Sequence, residues 1–223
     1  MLLLFNQNPL DTIPCPGGFI FLLKEKSVSG QSVITFYRYD QDRHKAHRIN
    51  KDEYLFVKFG KAYLPISKDL GNYVSCRCLP LKNGNLTVID KKGVLRIYSD
   101  RGDLIGVEIL DYHGAPFTSI VSYKNDFWAS VPQKDCVVCY SPREESVMLR
   151  VGGSRSKTFK SPVCLHRLGD KLFVCSKGDF KVRQLDLNSL KVTDYAEFEE
   201  PVLNFFISGV HEYALLESGM YRL

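Results

Sequence analysis

Short apolar runs, each entered from a turn-forming or polar residue, recur along the chain at nearly constant spacing. Four share one shape: Asn85-Leu86-Thr87-Val88, Asp126-Phe127-Trp128-Ala129, Lys171-Leu172-Phe173-Val174 and Glu212-Tyr213-Ala214-Leu215, with starts 41, 45 and 41 residues apart. Between them lie further short strands bounded by turn residues. Val94-Leu95-Arg96-Ile97-Tyr98 leads through Ser99-Asp100-Arg101-Gly102-Asp103 into Leu104-Ile105-Gly106-Val107-Glu108-Ile109-Leu110. Val182 to Leu187 leads through Asn188-Ser189-Leu190 into Lys191-Val192-Thr193. Strands this short, joined by Gly, Asn and Asp turns, predict antiparallel meanders.

A unit of four such strands in 40–45 residues has the size of one β-propeller blade. The expected fold is therefore all-β, a single propeller domain over residues 1–223. Gly18-Phe19-Ile20-Phe21 and Lys61-Ala62-Tyr63-Leu64 stand 43 residues apart and fill the same slot, but only 24 residues separate Lys61 from Asn85. Counting slots gives six blades, with five as the alternative. The chain ends on Gly219-Met220-Tyr221-Arg222-Leu223, in the place of a third strand. Leu2-Leu3-Leu4-Phe5 is expected to supply the missing fourth strand, closing the ring and covering an otherwise open sheet edge.

The segment Thr158-Phe159-Lys160-Ser161-Pro162-Val163-Cys164-Leu165, followed by Gly169-Asp170-Lys171-Leu172-Phe173-Val174-Cys175-Ser176-Lys177-Gly178-Asp179-Phe180-Lys181-Val182, resembles an NHL repeat. It has the Phe-x-x-Pro start, the turn, the central strand and the closing strand. Val94 to Gly106 resembles the closing half of the same repeat. The resemblance implies a six-bladed propeller. Propellers of that kind serve as protein-binding or RNA-binding platforms, and related six-bladed families are metal-dependent lyases or lactonases. Fold likeness of this sort leaves function open.

Composition agrees with a globular β domain. The chain is 44% hydrophobic and 25% charged, with 14 Phe and 12 Tyr, enough apolar material for a full core. No apolar run approaches the ~18 residues of a membrane span, so no membrane association is expected. The opening residues lack the basic start and the length of a secretory signal, which predicts a cytoplasmic protein. Its seven cysteines, an odd number, should then stay reduced.

Four of those thiols invite comparison with a zinc site. Cys136-Val137-Val138-Cys139 has the spacing, but it reads as strand interior, where residues three apart point to opposite faces. Cys76 and Cys78 share a face, with Arg77 between them. Core packing is the expected role, and neither a metal nor a cofactor is implied. The histidines (His44, His47, His113, His166, His211) match no ligand motif, so no catalytic residue is assigned.

The net charge of +5 permits an anionic partner. The turns after each second strand carry Lys24, Lys26, Lys68, Lys91, Lys92, Lys134 and Lys177. Glu25, Asp69, Asp90, Asp135, Asp179 and Glu217 accompany them and nearly cancel that charge. Arg150 to Lys160 differs, because Arg150, Arg155, Lys157 and Lys160 occur there without an acid. Its Gly152-Gly153-Ser154 stretch gives the backbone freedom to approach a phosphate. Arg43, Lys45 and Arg48 form a second basic group, near Tyr37 and Tyr39, which could stack on unpaired bases. Arg155, Lys157, Lys160, Arg43, Lys45 and Arg48 are thus the candidate anion-binding residues. The expected function is a non-catalytic interaction platform with a protein partner. The alternatives are an RNA- or anion-binding propeller and a small metal-dependent propeller hydrolase or lyase.

Overall fold

The computed structural model describes residues 1–49, 77–80, 85–90, 92–99 and 103–223. The expected strand at Lys61–Leu64, the turn residues Lys68, Asp69 and Lys91, and Cys76 lie outside the described residues. The chain opens with β1 (Leu2–Phe5). A first complete sheet follows as β2 (Asp11–Cys15), β3 (Gly18–Lys26), β4 (Ser32–Asp40) and β5 (Lys45–Arg48). The second comprises β6 (Arg77–Pro80), β7 (Leu86–Ile89), β8 (Val94–Tyr98) and β9 (Leu104–Ile109). A hairpin, β10 (Asp111–Tyr112) and β11 (Ala115–Pro116), precedes the third sheet. That sheet is β12 (Ser119–Tyr123), β13 (Asp126–Val131), β14 (Cys136–Ser141) and β15 (Ser146–Gly152). The fourth is β16 (Pro162–Leu168), β17 (Lys171–Ser176), β18 (Lys181–Asp186) and β19 (Val192–Glu197). The last strands are β20 (Val202–Ser208), β21 (His211–Leu216) and β22 (Gly219–Arg222).

Among the described residues there are five four-stranded antiparallel sheets, the lower of the two expected counts. Each runs through its strands in chain order except the last, ordered β1-β22-β21-β20. The N-terminal strand therefore completes the C-terminal sheet, pairing Leu2 with Arg222, Leu3 with Tyr221 and Phe5 with Met220. Every recurrent apolar run in the described residues is the second strand of its sheet.

Two compact units divide the chain, one of Gln7–Ile109 and one of Met1–Asn6 with Leu110–Leu223. In the first, Ile13, Ile20, Leu22 and Phe36 of one sheet pack with Val88 and Tyr98 of the next. In the second, β17 shows why its sequence is apolar at successive positions. Leu172 and Val174 face Trp128 and Val137 of the third sheet, whereas Phe173 and Cys175 face Val202, Phe205 and Ala214 of the last. Alternation along the strand feeds two cores, each fully buried apolar side chain contributing about 1.5–3 kcal/mol.

Side chains also tie the first strands of neighbouring sheets together. The Leu165 N–H donates to Ser119 Oγ (3.1 Å), the Ile207 N–H to His166 Nε2 (3.1 Å), and Cys164 Sγ to Asn204 Oδ1 (2.7 Å). Among the described residues no helix is long and apolar enough to cross a membrane.

Candidate functional site

The connection from β15 to β16, residues 153–161, carries the densest unpaired basic charge of the second unit. Its backbone is fixed at several points. Asp135, in the left-handed conformation at the end of a 3-10 turn, accepts the Gly153 N–H on its carbonyl (2.9 Å) and the Ser161 N–H on its carboxylate (2.7 Å). Ser176 Oγ accepts the Lys160 N–H (2.7 Å) and donates to the Lys160 carbonyl (3.1 Å). Phe159, 2% exposed, sinks into the core beside Trp128 and Leu172. Gly152 allows the chain to enter this path. Its φ is +87°, and a Cβ there would lie 2.8 Å from both the Asp135 carbonyl oxygen and the Phe159 ring. The glycines thus mark a close crossing of backbones and not the loose approach expected from composition.

Arg150, Arg155, Lys157 and Lys160 are all exposed. Among the described residues, none has a carboxylate within ion-pair distance. Arg150, Gly152, Gly153, Ser154, Arg155 and Ser156 line a concavity of about 510 Å³. A second concavity, also of about 510 Å³, adjoins it at Arg150 and is lined by Asp111, Tyr112, His113, Val147, Met148 and Leu149. Together they run along the outer strand of the third sheet. Composition pointed to the basic connection. It gave no hint of Tyr112, His113 and Met148, because the β10–β11 hairpin reaches them through the fold.

The other basic group stands in the first unit and is differently built. Lys45, His47 and Arg48 are exposed on β5, an outer strand, while Arg43 sits 3.9 Å from Asp40, whose carboxylate also accepts the Arg43 N–H. The nearby tyrosines are committed elsewhere. Tyr39 is 3% exposed and stacks on Phe19 at 5.0 Å, and Tyr37 stacks on Phe21 at 5.3 Å while donating to Glu25 (2.7 Å). Both pack against the neighbouring strand; Tyr39 is buried, and the half-buried Tyr37 has one ring face on Phe21 and its hydroxyl on Glu25.

Several charges of the lysine-bearing turns are paired. Lys177 pairs with Glu217 (3.2 Å), Asp90 with Arg96 (3.4 Å), and Asp179 with Arg183 (2.6 Å). Cys136 is fully buried and Cys139 half-buried on the opposite face of β14. Burial pushes both thiols up to about 11, so neither is a thiolate near neutrality. Among the described residues, no three His, Cys, Asp or Glu side chains are grouped to hold a metal ion.

No known protein-family profile matches the chain, and no curated protein matches it either. Solved structures do. Virginiamycin B lyase from Staphylococcus aureus superposes with a TM-score of 0.53 at 9% identity, over 95% of this chain and 78% of the lyase. A catalytically inactive form of that lyase with quinupristin gives 0.54 at 10% identity, over 98% and 81%. Saccharomyces cerevisiae Sqt1 gives 0.53 at 13% identity, over 93% and 69%. The fold is a β-propeller. Identities this low extend the architecture and nothing of the chemistry.

Proposed function

We propose that this propeller is a non-catalytic binding platform whose partner is a protein. The observation that carries the reading is the β15–β16 connection. It holds three cations, Arg155, Lys157 and Lys160, next to Arg150 of β15 and without an ion-pair partner among the described residues, on a backbone anchored by Asp135, Ser176 and Phe159. A preorganised rim of this kind loses little freedom on binding, which favours affinity. A partner captured by the protein, identified and repurified, is expected to bind it and to be recovered with unchanged mass. Recovery of a chemically altered partner would contradict a non-catalytic role.

An anionic polymer such as RNA is the second reading, favoured by the acid-free run from Arg150 to Lys160. Replacing Arg155, Lys157 and Lys160 together by alanine is expected to leave the melting temperature nearly unchanged, because exposed charges contribute little to stability. The same variant should elute from heparin at distinctly lower salt, with a salt slope reduced by roughly one counterion per lost contact. Elution at the wild-type salt concentration removes this connection as an anion site. The lyases among the structural neighbours favour no enzymatic reading, since they share only the fold.

A further inference from the structure

Four of the five outer strands carry one extra residue opposite their neighbour. The extra residues are Ile105 in β9, Met148 in β15, Tyr195 in β19 and Leu4 in β1. A bulge bends the outer strand and re-aims the side chain it frees. In the fourth sheet the freed Tyr195 packs edge-on against Phe173 (4.8 Å) and Phe205 (5.7 Å), and its hydroxyl donates to Glu212. In the third sheet the equivalent Met148 is 60% exposed and lines an open concavity. The far wall of that concavity is the β10–β11 hairpin. Its two-residue turn, His113-Gly114, has positive φ at both positions (52° and 75°). The Tyr112 and His113 rings pack at 4.3 Å beside the groove.

The middle of this groove is apolar with Val147, Met148 and Leu149, and its far end carries Arg150 and Arg155, with Lys157 beyond; in the turn before β15, Glu144 is paired with Arg143 at 3.7 Å. Asp111, at the hairpin, has one carboxylate oxygen engaged by the Gly114 N–H at 2.9 Å. A flexible thioether beside aromatic rings suits an apolar side chain of variable shape. Two guanidiniums with no ion-pair partner among the described residues suit carboxylates.

We propose that this groove binds an extended acidic peptide, with an apolar side chain seated against Met148, Tyr112 and His113 and following carboxylates on Arg150 and Arg155. The assignment rests on the platform reading and names the chemistry of its partner. Because the bulge at Met148 interrupts the strand edge, the peptide docks through side chains and does not extend the sheet.

The test uses a phage-displayed library of random dodecapeptides selected on the 223-residue chain, with the winners synthesised and measured by fluorescence anisotropy. Winners are expected to place one large apolar residue next to two or more Asp or Glu. Arg150→Glu with Arg155→Glu should weaken their binding at least roughly tenfold, since like charges then face each other. Met148→Asp should weaken it comparably, while both variants keep the wild-type melting temperature, these side chains being exposed. Winners without acidic bias would overturn the groove assignment, as would winners bound equally by the charge-reversed variant. So would a library yielding none while poly(U) binds and is lost in that variant. Winners unaffected by all three substitutions would leave the platform standing and move its site elsewhere.

Discussion

His166 shows how one side chain couples packing to pH. It sits on β16, largely buried against Phe173 and Phe206, and its Nε2 accepts the Ile207 N–H from the first strand of the next sheet. An acceptor nitrogen must be unprotonated, so the folded state keeps the ring neutral. Burial, aided by the Arg167 charge, lowers its pKa from 6.5 to about 4. The unfolded chain binds this proton more readily than the folded one. The stabilising effect is therefore complete above about pH 6.5 and fades as pH falls toward 4. From pH 7 to pH 5 the loss is about 2 kcal/mol, in a range above that of the hydrogen-bonded carboxylates. Denaturant titrations should show this loss in the wild type and a flatter profile in His166→Gln; parallel profiles would mean that the imidazole is not the group responsible. Nothing in the sequence around Leu165-His166-Arg167 announces this role, because the partner amide lies 41 residues away.

At the scale of the element, the second strands were the most legible part of the chain. A strand such as β17 is buried on both faces, so its sequence is apolar at consecutive positions and stands out from its surroundings. Outer strands carry a weaker signal, since β15 and β19 hold only half-buried and exposed residues. Their bulges recur about one repeat apart at Ile105, Met148 and Tyr195, a periodicity hidden by the different residue types. The basic connection was visible as composition, but its anchoring was not, because Asp135 and Ser176 belong to turns and strands of neighbouring sheets. The N-terminal strand was legible because the last repeat lacked a fourth strand. Leu2 and Leu3 are about half exposed, so β1 stabilises mainly by covering the edge of β22 and by packing Leu4 and Phe5. The fit is close: a Cβ at Gly219 would stand 2.5 Å from the Phe5 carbonyl oxygen. Deleting residues 1–6 is expected to lower the melting temperature by roughly 5–15 °C, corresponding to ~2–4 kcal/mol. A truncated protein that melts with the 223-residue chain would mean that this pairing contributes nothing.

For the whole molecule, we propose that all 223 residues act as one folding domain, in keeping with a propeller likeness that spans more than nine-tenths of the chain. Sheets that share first-strand hydrogen bonds and continuous cores are expected to unfold together, as cooperative single domains do. A convenient reporter is present. Trp128, the only tryptophan, is 3% exposed in a core joining the third and fourth sheets of one compact unit. Far-ultraviolet circular dichroism, by contrast, reports strands throughout the chain. Equilibrium unfolding in urea followed by both signals is the most direct test of a single propeller. Superimposable transitions with one midpoint and one slope are the result expected. A tryptophan transition displaced from the dichroism transition, or a dichroism curve in two steps, would show that the two compact units fold as separate domains.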